Sequence, residues 1–360
     1  MRVIVCSEGD RARFDAAVAA SPSADVLQSY EWGEVKAGTG WDALRLLVED
    51  GDGTARAACS VLRTVPVRGV PPLLYAPRGP VLLDEADSEA LGALLDAIRR
   101  RAGRGFLFKC DPPVREGSAL ARALVDTGLR RVSGGAFGGV QPVAVMVLDL
   151  TAGPDEVFKR FKSKWRYNCR LAERKGVSVR DGGREDLASF HDLYVETARR
   201  DGFVGRARTY FERLWDMLEP RGMLKMWVAE FEGVPVASII CTMMGERVIY
   251  NYGASSNEQR NLMPNHLLQW TAIRWAAEKG FKTYDFRGVS PVRDGEIVEQ
   301  HLAGLNQFKE GFGAEYLEYA GEFDLPLRSG WYAIWRTAAP RAISLRARLR
   351  SGAASSEAGD

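Results

Sequence analysis

Slid along itself by 175 positions, the chain meets a weak copy of its own pattern, which predicts two like halves instead of one continuous core. In the first copy LRLLVED (44–50) reads as a strand, GDG as a turn, ARAACSVL (55–62) as a second strand and PPLLYAPRGP (71–80) as a third. LKMWVAEF (224–231), EGVP, VASIICTMM (236–244) and VIYNYGAS (248–255) run the same way, with Tyr75 and Tyr250 at the offset. Each triplet is followed by apolar residues at helical spacing, over 88–103 and 265–280, and each helix ends at a glycine suited to the position after the C-cap. Gly105-Phe106 and Gly280-Phe281 then open strands that run into Asp111 and Asp285. At 360 residues the chain exceeds what one core usually supports, so two packed α/β domains are expected, 1–150 and 151–322. Residues 323–350 are expected to return to the first domain, 140–150 to cross between the two, and SGAASSEAGD (351–360) to be disordered.

Between the copies, one long helix is predicted over 155–175, with Phe158, Phe161, Trp165 and Ala172 on one face. Its charges, eight basic residues against Glu173, form an exposed stripe that is either simply solvated or an electrostatic footprint for nucleic-acid phosphates. Further helices are expected near 184–200 and 208–218. The net charge of +2 says little by itself, but basic residues crowd into Lys159–Lys175 and Arg336–Arg350. The apolar run after Arg2 is too short for a signal-peptide core and no segment has the length that spans a bilayer, so a cytoplasmic protein is expected. Cys6, Cys59, Cys110, Cys169 and Cys241 are odd in number and never spaced as CxxC, which points to buried thiols. His191, His266 and His301 lack the spacing of a zinc or di-iron centre.

QSYEWGEVK (28–36), FKSKWRYNCRLAERKGVSV (161–179), the long segment from Tyr250 to Gly288 and LNQFKEGFG (305–313) together resemble the FemABX family of tRNA-dependent peptidyltransferases, in order and spacing, from about residue 25 to 325. The resemblance implies two domains similar to the GNAT acetyltransferase fold. It also implies an acceptor that is UDP-MurNAc-pentapeptide or lipid II, an aminoacyl-tRNA donor bound by its acceptor end, and no metal or redox cofactor. No long heptad run exists, so the chain looks like the compact form without a coiled-coil arm.

Aminolysis of an activated ester asks mainly for positioning, because the donor is already reactive. The resemblance implies that Lys36 and Arg206 grip the phosphates of the acceptor and that Tyr210 and Tyr252 line the same pocket; charge-assisted hydrogen bonds suit that task. Lys36 follows SYEWGEVKAGTGW, whose glycines suggest a loop or helix start, and Arg206 and Tyr210 share a face if GRARTYF is helical. Alone, such residues would read as solvated cations and core tyrosines. Phe308 and Lys309, in a loop-like stretch between Gly304 and Gly311, match the positions where the family binds the tRNA end: a ring for the adenine and an ammonium for charge at the ester. An amine titrating near roughly 10.4 must shed a proton, and Asp111 is the candidate acceptor, although a carboxylate before Pro112-Pro113 is equally a turn former. Asp285 and Arg287 read as a structural ion pair behind the site.

Two readings fit the tail WYAIWRTAAPRAISLRARLR: peripheral contact with anionic lipid at the inner face of the membrane, or packing on the first domain, which Pro340 favours by interrupting any continuous helix. The chain is expected to act as a monomer that transfers glycine, alanine or serine to the stem peptide of a cell-wall precursor. The nearest rival uses the same donor to amidate a small molecule such as an antibiotic. An acyl-CoA-dependent N-acetyltransferase would need a glycine-rich turn that NEQRNLMPN (257–265) does not offer, and a non-catalytic nucleic-acid binder leaves the repeat unexplained.

Overall fold

The computed structural model describes residues 1–66, 68–132 and 140–337. The first half contains β1 (Arg2–Val5), α1 (Arg11–Ala20), α2 (Tyr30–Ala37), β2 (Asp42–Glu49), β3 (Ala55–Thr64), β4 (Leu73–Ala76), β5 (Val81–Leu82), α3 (Ser88–Arg101), β6 (Leu107–Cys110), α4 (Ala119–Asp126) and β7 (Arg130–Val132). The second contains β8 (Ala144–Asp149), α5 (Pro154–Arg160), α6 (Ser163–Arg174), β9 (Val177–Gly182), α7 (Leu187–Asp201), α8 (Arg208–Leu218), β10 (Leu224–Phe231), β11 (Val234–Met244), β12 (Arg247–Ser255), α9 (Pro264–Glu278), β13 (Thr283–Gly288), β14 (Val292–Arg293), β15 (Glu296–Ile297), α10 (Ala303–Glu310) and β16 (Glu315–Glu318). The chain then returns through β17 (Glu322–Pro326) and a helical stretch over 329–337.

Two sheets result, ordered β1-β2-β3-β4-β6-β17-β7, with β5 on β3, and β16-β8-β13-β12-β11-β10-β9. In each, three antiparallel strands lead through a helix to a parallel neighbour, β4 to β6 by α3 and β12 to β13 by α9. A parallel pair needs such a crossover, so the repeat seen in the sequence is this unit. Gly103 and Gly280, one residue past the caps of α3 and α9, have φ of +56° and +83°, the left-handed turn that a Cβ would oppose.

Both sheets are covered on both faces, and alternation along the strands decides which face meets which layer. Leu46, Val48, Cys59 and Val61 pack with α3 and α4, while their neighbours Leu47, Ala58 and Leu62 join a middle core with α1, α2, α7 and α8. On the second sheet Met226, Val228 and Ile240 reach the same middle core, and Trp227, Ala229 and Ile239 face α9. The halves therefore share one apolar interior, with Phe14 and Val26 from one beside Phe190 and Phe211 from the other.

The segment expected to cross at 140–150 instead carries β8, which pairs with β13 and β16; Ala144, Met146 and Leu148 belong to the second core. β17 lies between β6 and β7, so the second half is inserted within the first. The single helix expected over 155–175 is two. Phe161 leaves helical geometry at ψ 142°, its ring buried against Trp270 and Phe312, and the Lys162 N–H donates to the Gly311 carbonyl. The stretch around Lys36, for which a loop or a helix start is expected, is α2, capped by Ser29, whose Oγ accepts the Trp32 N–H at 3.0 Å. Gly33 there is a matter of space, since a Cβ would sit 2.3 Å from the Arg45 guanidinium that stacks on Tyr30. The LNQFKEGFG stretch is likewise helical, as α10; Gly311 makes room for the Trp165 ring. The five cysteines are buried and unpaired. The basic segment beyond residue 337 and the tail 351–360 lie outside the described residues.

Candidate functional site

Lys36 stands in the last turn of α2, where a cation complements the helix dipole. That turn is fixed by the other half: Arg213 of α8 donates to the Glu34 carbonyl at 3.1 and 2.6 Å and to that of Val35 at 3.0 Å. Arg206 precedes α8 instead of lying within it, yet its guanidinium stacks 4.7 Å over the Tyr210 ring, and its carbonyl lies 3.1 Å from His191 Nε2. The Tyr210 and Tyr252 hydroxyls are 2.8 Å apart, and both rings pack edge-on against Phe211. The Lys36 ammonium is held below the usual lysine range by burial and then by the Arg206 charge, so the two cations are near enough to repel. Neither has an ion-pair partner among the described residues. The structure thus brings Lys36, Arg206, Tyr210 and Tyr252 to one place, where the halves meet.

Tyr252 lies on β12, which pairs with β13 only over Arg247–Ile249 and Thr283–Asp285. Both strands continue past that point unpaired with each other, so the sheet opens between them. At the end of β13, the Gly288 carbonyl accepts from Lys309 Nζ at 2.6 Å. Lys309 is buried, and that burial pulls its ammonium down to about 7; Asp285 opposes the shift and Arg287 adds to it. The Phe308 carbonyl accepts the Trp165 indole N–H at 2.9 Å, and the half-buried ring packs edge-on against His266 and Phe312. Burial lowers His266 to about 4, which leaves it neutral.

Asp111 is not brought to this group. One of its oxygens accepts the Tyr75 hydroxyl at 2.6 Å and the other the Arg78 backbone N–H at 2.6 Å, and the carboxyl is buried, which pushes it up to about 6. Arg78 has a φ of +54°, donates to the Pro142 carbonyl and stacks over Tyr319. The Tyr319 hydroxyl accepts from Arg247 at 2.7 Å, and Arg247 pairs with Asp285 at 3.3 Å. The ion pair expected between Asp285 and Arg287 is not formed: Asp285 accepts the Arg287 backbone N–H, while that guanidinium turns to Asp25 at 3.3 Å. A buried string of charges so joins the two halves. A cleft of about 420 Å³ between the halves, lined by Pro113, Arg115, Arg247, Thr283 and Tyr319, holds none of the expected site residues.

The basic stripe of 159–175 is largely engaged. Lys159, Arg160 and Lys162 pair with Glu156, Asp149 and Glu310, Arg170 and Arg174 stack on Phe158 and Tyr167, and Lys175 donates to the Asn261 carbonyl. Sequence reasoning missed Arg213, Arg78 and the Asp25–Arg287 pair, because nothing in the order of residues ties position 25 to 287. No helix among the described residues is long and apolar enough to cross a membrane, and no group of three metal-binding side chains is found among them.

Two family models match the chain, the FemAB family over residues 10–122 and the acetyltransferase (GNAT) domain over 159–309. The lipid II:glycine glycyltransferase of Staphylococcus aureus (strain MRSA252) is 28% identical over 411 aligned positions, covering 93% of this chain and 96% of the relative. The crystal structure of FemX superposes with a TM-score of 0.83 at 27% identity, over 93% of this chain and 99% of that one. A tandem GNAT protein from the clavulanic acid biosynthesis pathway, at 13% identity and a TM-score of 0.52, covers 91% of this chain and 98% of its own and shares the fold. With a FemAB-family match in the first half, a GNAT match in the second and the paired α/β architecture in common, the chain is a transferase similar to the FemAB family, built from two GNAT-like halves.

Proposed function

We propose that the protein transfers glycine, alanine or serine from aminoacyl-tRNA to the stem-peptide amine of a peptidoglycan precursor, UDP-MurNAc-pentapeptide or lipid II. The observation that carries this reading is the convergence of Lys36 and Arg206, one from each half, without counter-ions and beside the Tyr210–Tyr252 pair. Holding two like charges together costs energy in the empty protein, and a diphosphate between them removes that cost while gaining charge-assisted hydrogen bonds. The opening between β12 and β13 leads from Tyr252 towards Gly288 and Lys309, a path suited to an extended peptide.

In the reaction, the free amine adds to the ester carbonyl, the bond from that carbon to the ribose oxygen breaks and an amide forms. The proton released by nitrogen ends on the ribose oxygen. Lys309, with an ammonium near 7, can neutralise charge at the carbonyl and hand a proton to the leaving oxygen. Phe308 offers the exposed part of its ring to the terminal adenine. Asp111 enters as the anchor of the Arg78 turn, since both of its oxygens are engaged.

The test is transfer of labelled amino acid from glycyl-, alanyl- and seryl-tRNA to UDP-MurNAc-pentapeptide and to lipid II, beside acetyl-CoA as donor. Product from at least one charged tRNA is expected; acetylation alone would overturn the assignment.

A further inference from the structure

The helix over 329–337 is held to the first half by Tyr332 and Trp335, which pack on Phe106, Leu107, Val70 and Leu73. Its outer flank carries Trp331 and Ile334, 37% and 56% exposed, and beside its packing face lies the loop from β3 to β4 with Val65, 56% exposed. Large apolar side chains left bare on two adjoining segments mark a surface that meets an apolar partner.

The unpaired charge around them is basic, the acids Asp42 and Asp96 being taken up by Arg63 and Arg99. The turn from α3 into β6 brings Arg100, Arg101 and Arg104 to this end of the sheet, the β3–β4 loop adds Arg68, and all four are exposed with no ion-pair partner among the described residues. Arg328 precedes the helix and Arg336 lies in its last turn. We infer that this end of the first half docks on an anionic lipid bilayer, with Trp331, Ile334 and Val65 entering the interface and the arginines facing the headgroups. The bare aliphatic side chains of Ile334 and Val65 beside Trp331 favour lipid over RNA, because a bilayer buries them whereas a base finds no stacking face on them.

The position fits the proposed site. β2 begins at Asp42, just after Trp41 and Lys36, and Arg63 pairs with Asp42 while the Thr64 hydroxyl donates to the Gly40 carbonyl, so the Lys36 loop and the β3–β4 loop adjoin. From β2 to β6 is three strand spacings, about 14 Å. A lipid-linked acceptor presents its diphosphate at the headgroup level, where a protein docked by this face holds Lys36 and Arg206. This link rests on the proposed function, and it selects lipid II over the nucleotide-linked precursor as the acceptor; the docking itself does not depend on that function.

The full chain is sedimented with phosphatidylcholine vesicles, with and without phosphatidylglycerol. Binding is expected to the anionic vesicles only, and to fall at least about tenfold in Trp331→Ser/Ile334→Ser and in Arg68→Glu/Arg104→Glu. All four residues are exposed and outside the proposed site, so both variants should retain transfer to UDP-MurNAc-pentapeptide in solution while losing transfer to lipid II in vesicles. Failure of the wild type to bind anionic vesicles, or equal binding by both variants, overturns the proposal. So does loss of tRNA binding by the variants at unchanged vesicle binding. Absence of transfer to any acceptor alongside normal vesicle binding would instead count against the proposed function.

Discussion

Two of the places where charge crosses between the halves are built in opposite ways. In the string from Asp111 through Arg78, Tyr319, Arg247 and Asp285, each group is buried or, for Arg247, largely so, and is answered by a neighbour. At the mouth formed by Lys36 and Arg206, two cations stand together unanswered. Removing a partner from the first exposes an uncompensated charge to the interior, whereas removing a cation from the second relieves a repulsion. One arrangement holds the halves in register, and the other waits for an anion. Lys309 stands between these extremes, buried like the string but answered by a single carbonyl.

The largest effect is expected from Arg247→Ala, which takes the ion-pair partner from buried Asp285, leaves it the Arg287 backbone N–H, and should cost about 3–5 kcal/mol in chemical denaturation. A loss below about 1 kcal/mol would mean that water already reaches the pair and that the contrast is false. Next comes Lys309→Met, expected to cut turnover about 10²–10³-fold with acceptor affinity kept. Its pH signature follows from the lowered ammonium. The folded protein binds fewer protons than the unfolded chain from about 7 up to the ordinary lysine value of 10.5, so this lysine makes stability rise with pH across that window. Lys309→Met should abolish that rise, and wild-type turnover should decline above about pH 7 as the ammonium is lost; a flat rate profile would remove the proposed role. The smallest effects belong to Lys36→Ala and Arg206→Ala, each expected to weaken UDP-MurNAc-pentapeptide binding by about 1.5–3 kcal/mol in calorimetry, with stability unchanged or raised. If either variant is destabilised instead, the mouth is a structural contact like the string.

What was legible in the sequence follows the range of the interactions. β2 to β4 and β10 to β12 announce themselves by alternation and by turns, which are local, and the glycines after α3 and α9 mark their ends for the same reason. The break at Phe161 was hidden because the residues on either side keep a helical apolar face; the ring turns inward to meet Phe312, which lies far along the chain. The glycines in α2 and before Phe312 suggested loops, but they serve close approach by Arg45 and Trp165, a need set by distant residues. Lys36, Arg206, Tyr210 and Tyr252 came from family resemblance, and the structure brings them together. Asp111 stands out in the sequence by its place before two prolines, but the engagement of both its oxygens by Tyr75 and Arg78 depends on strands and turns distant in the chain.

The placement of β17 between β6 and β7 bears on how the molecule is made. A ribosome delivers the first 132 residues long before Glu322–Pro326, so β6 and β7 must wait with bare edges while the entire inserted half is synthesised. Newborn chains therefore pass through a stage in which one half can mature and the other cannot, and any premature stop before residue 322 leaves the earlier half permanently unfinished.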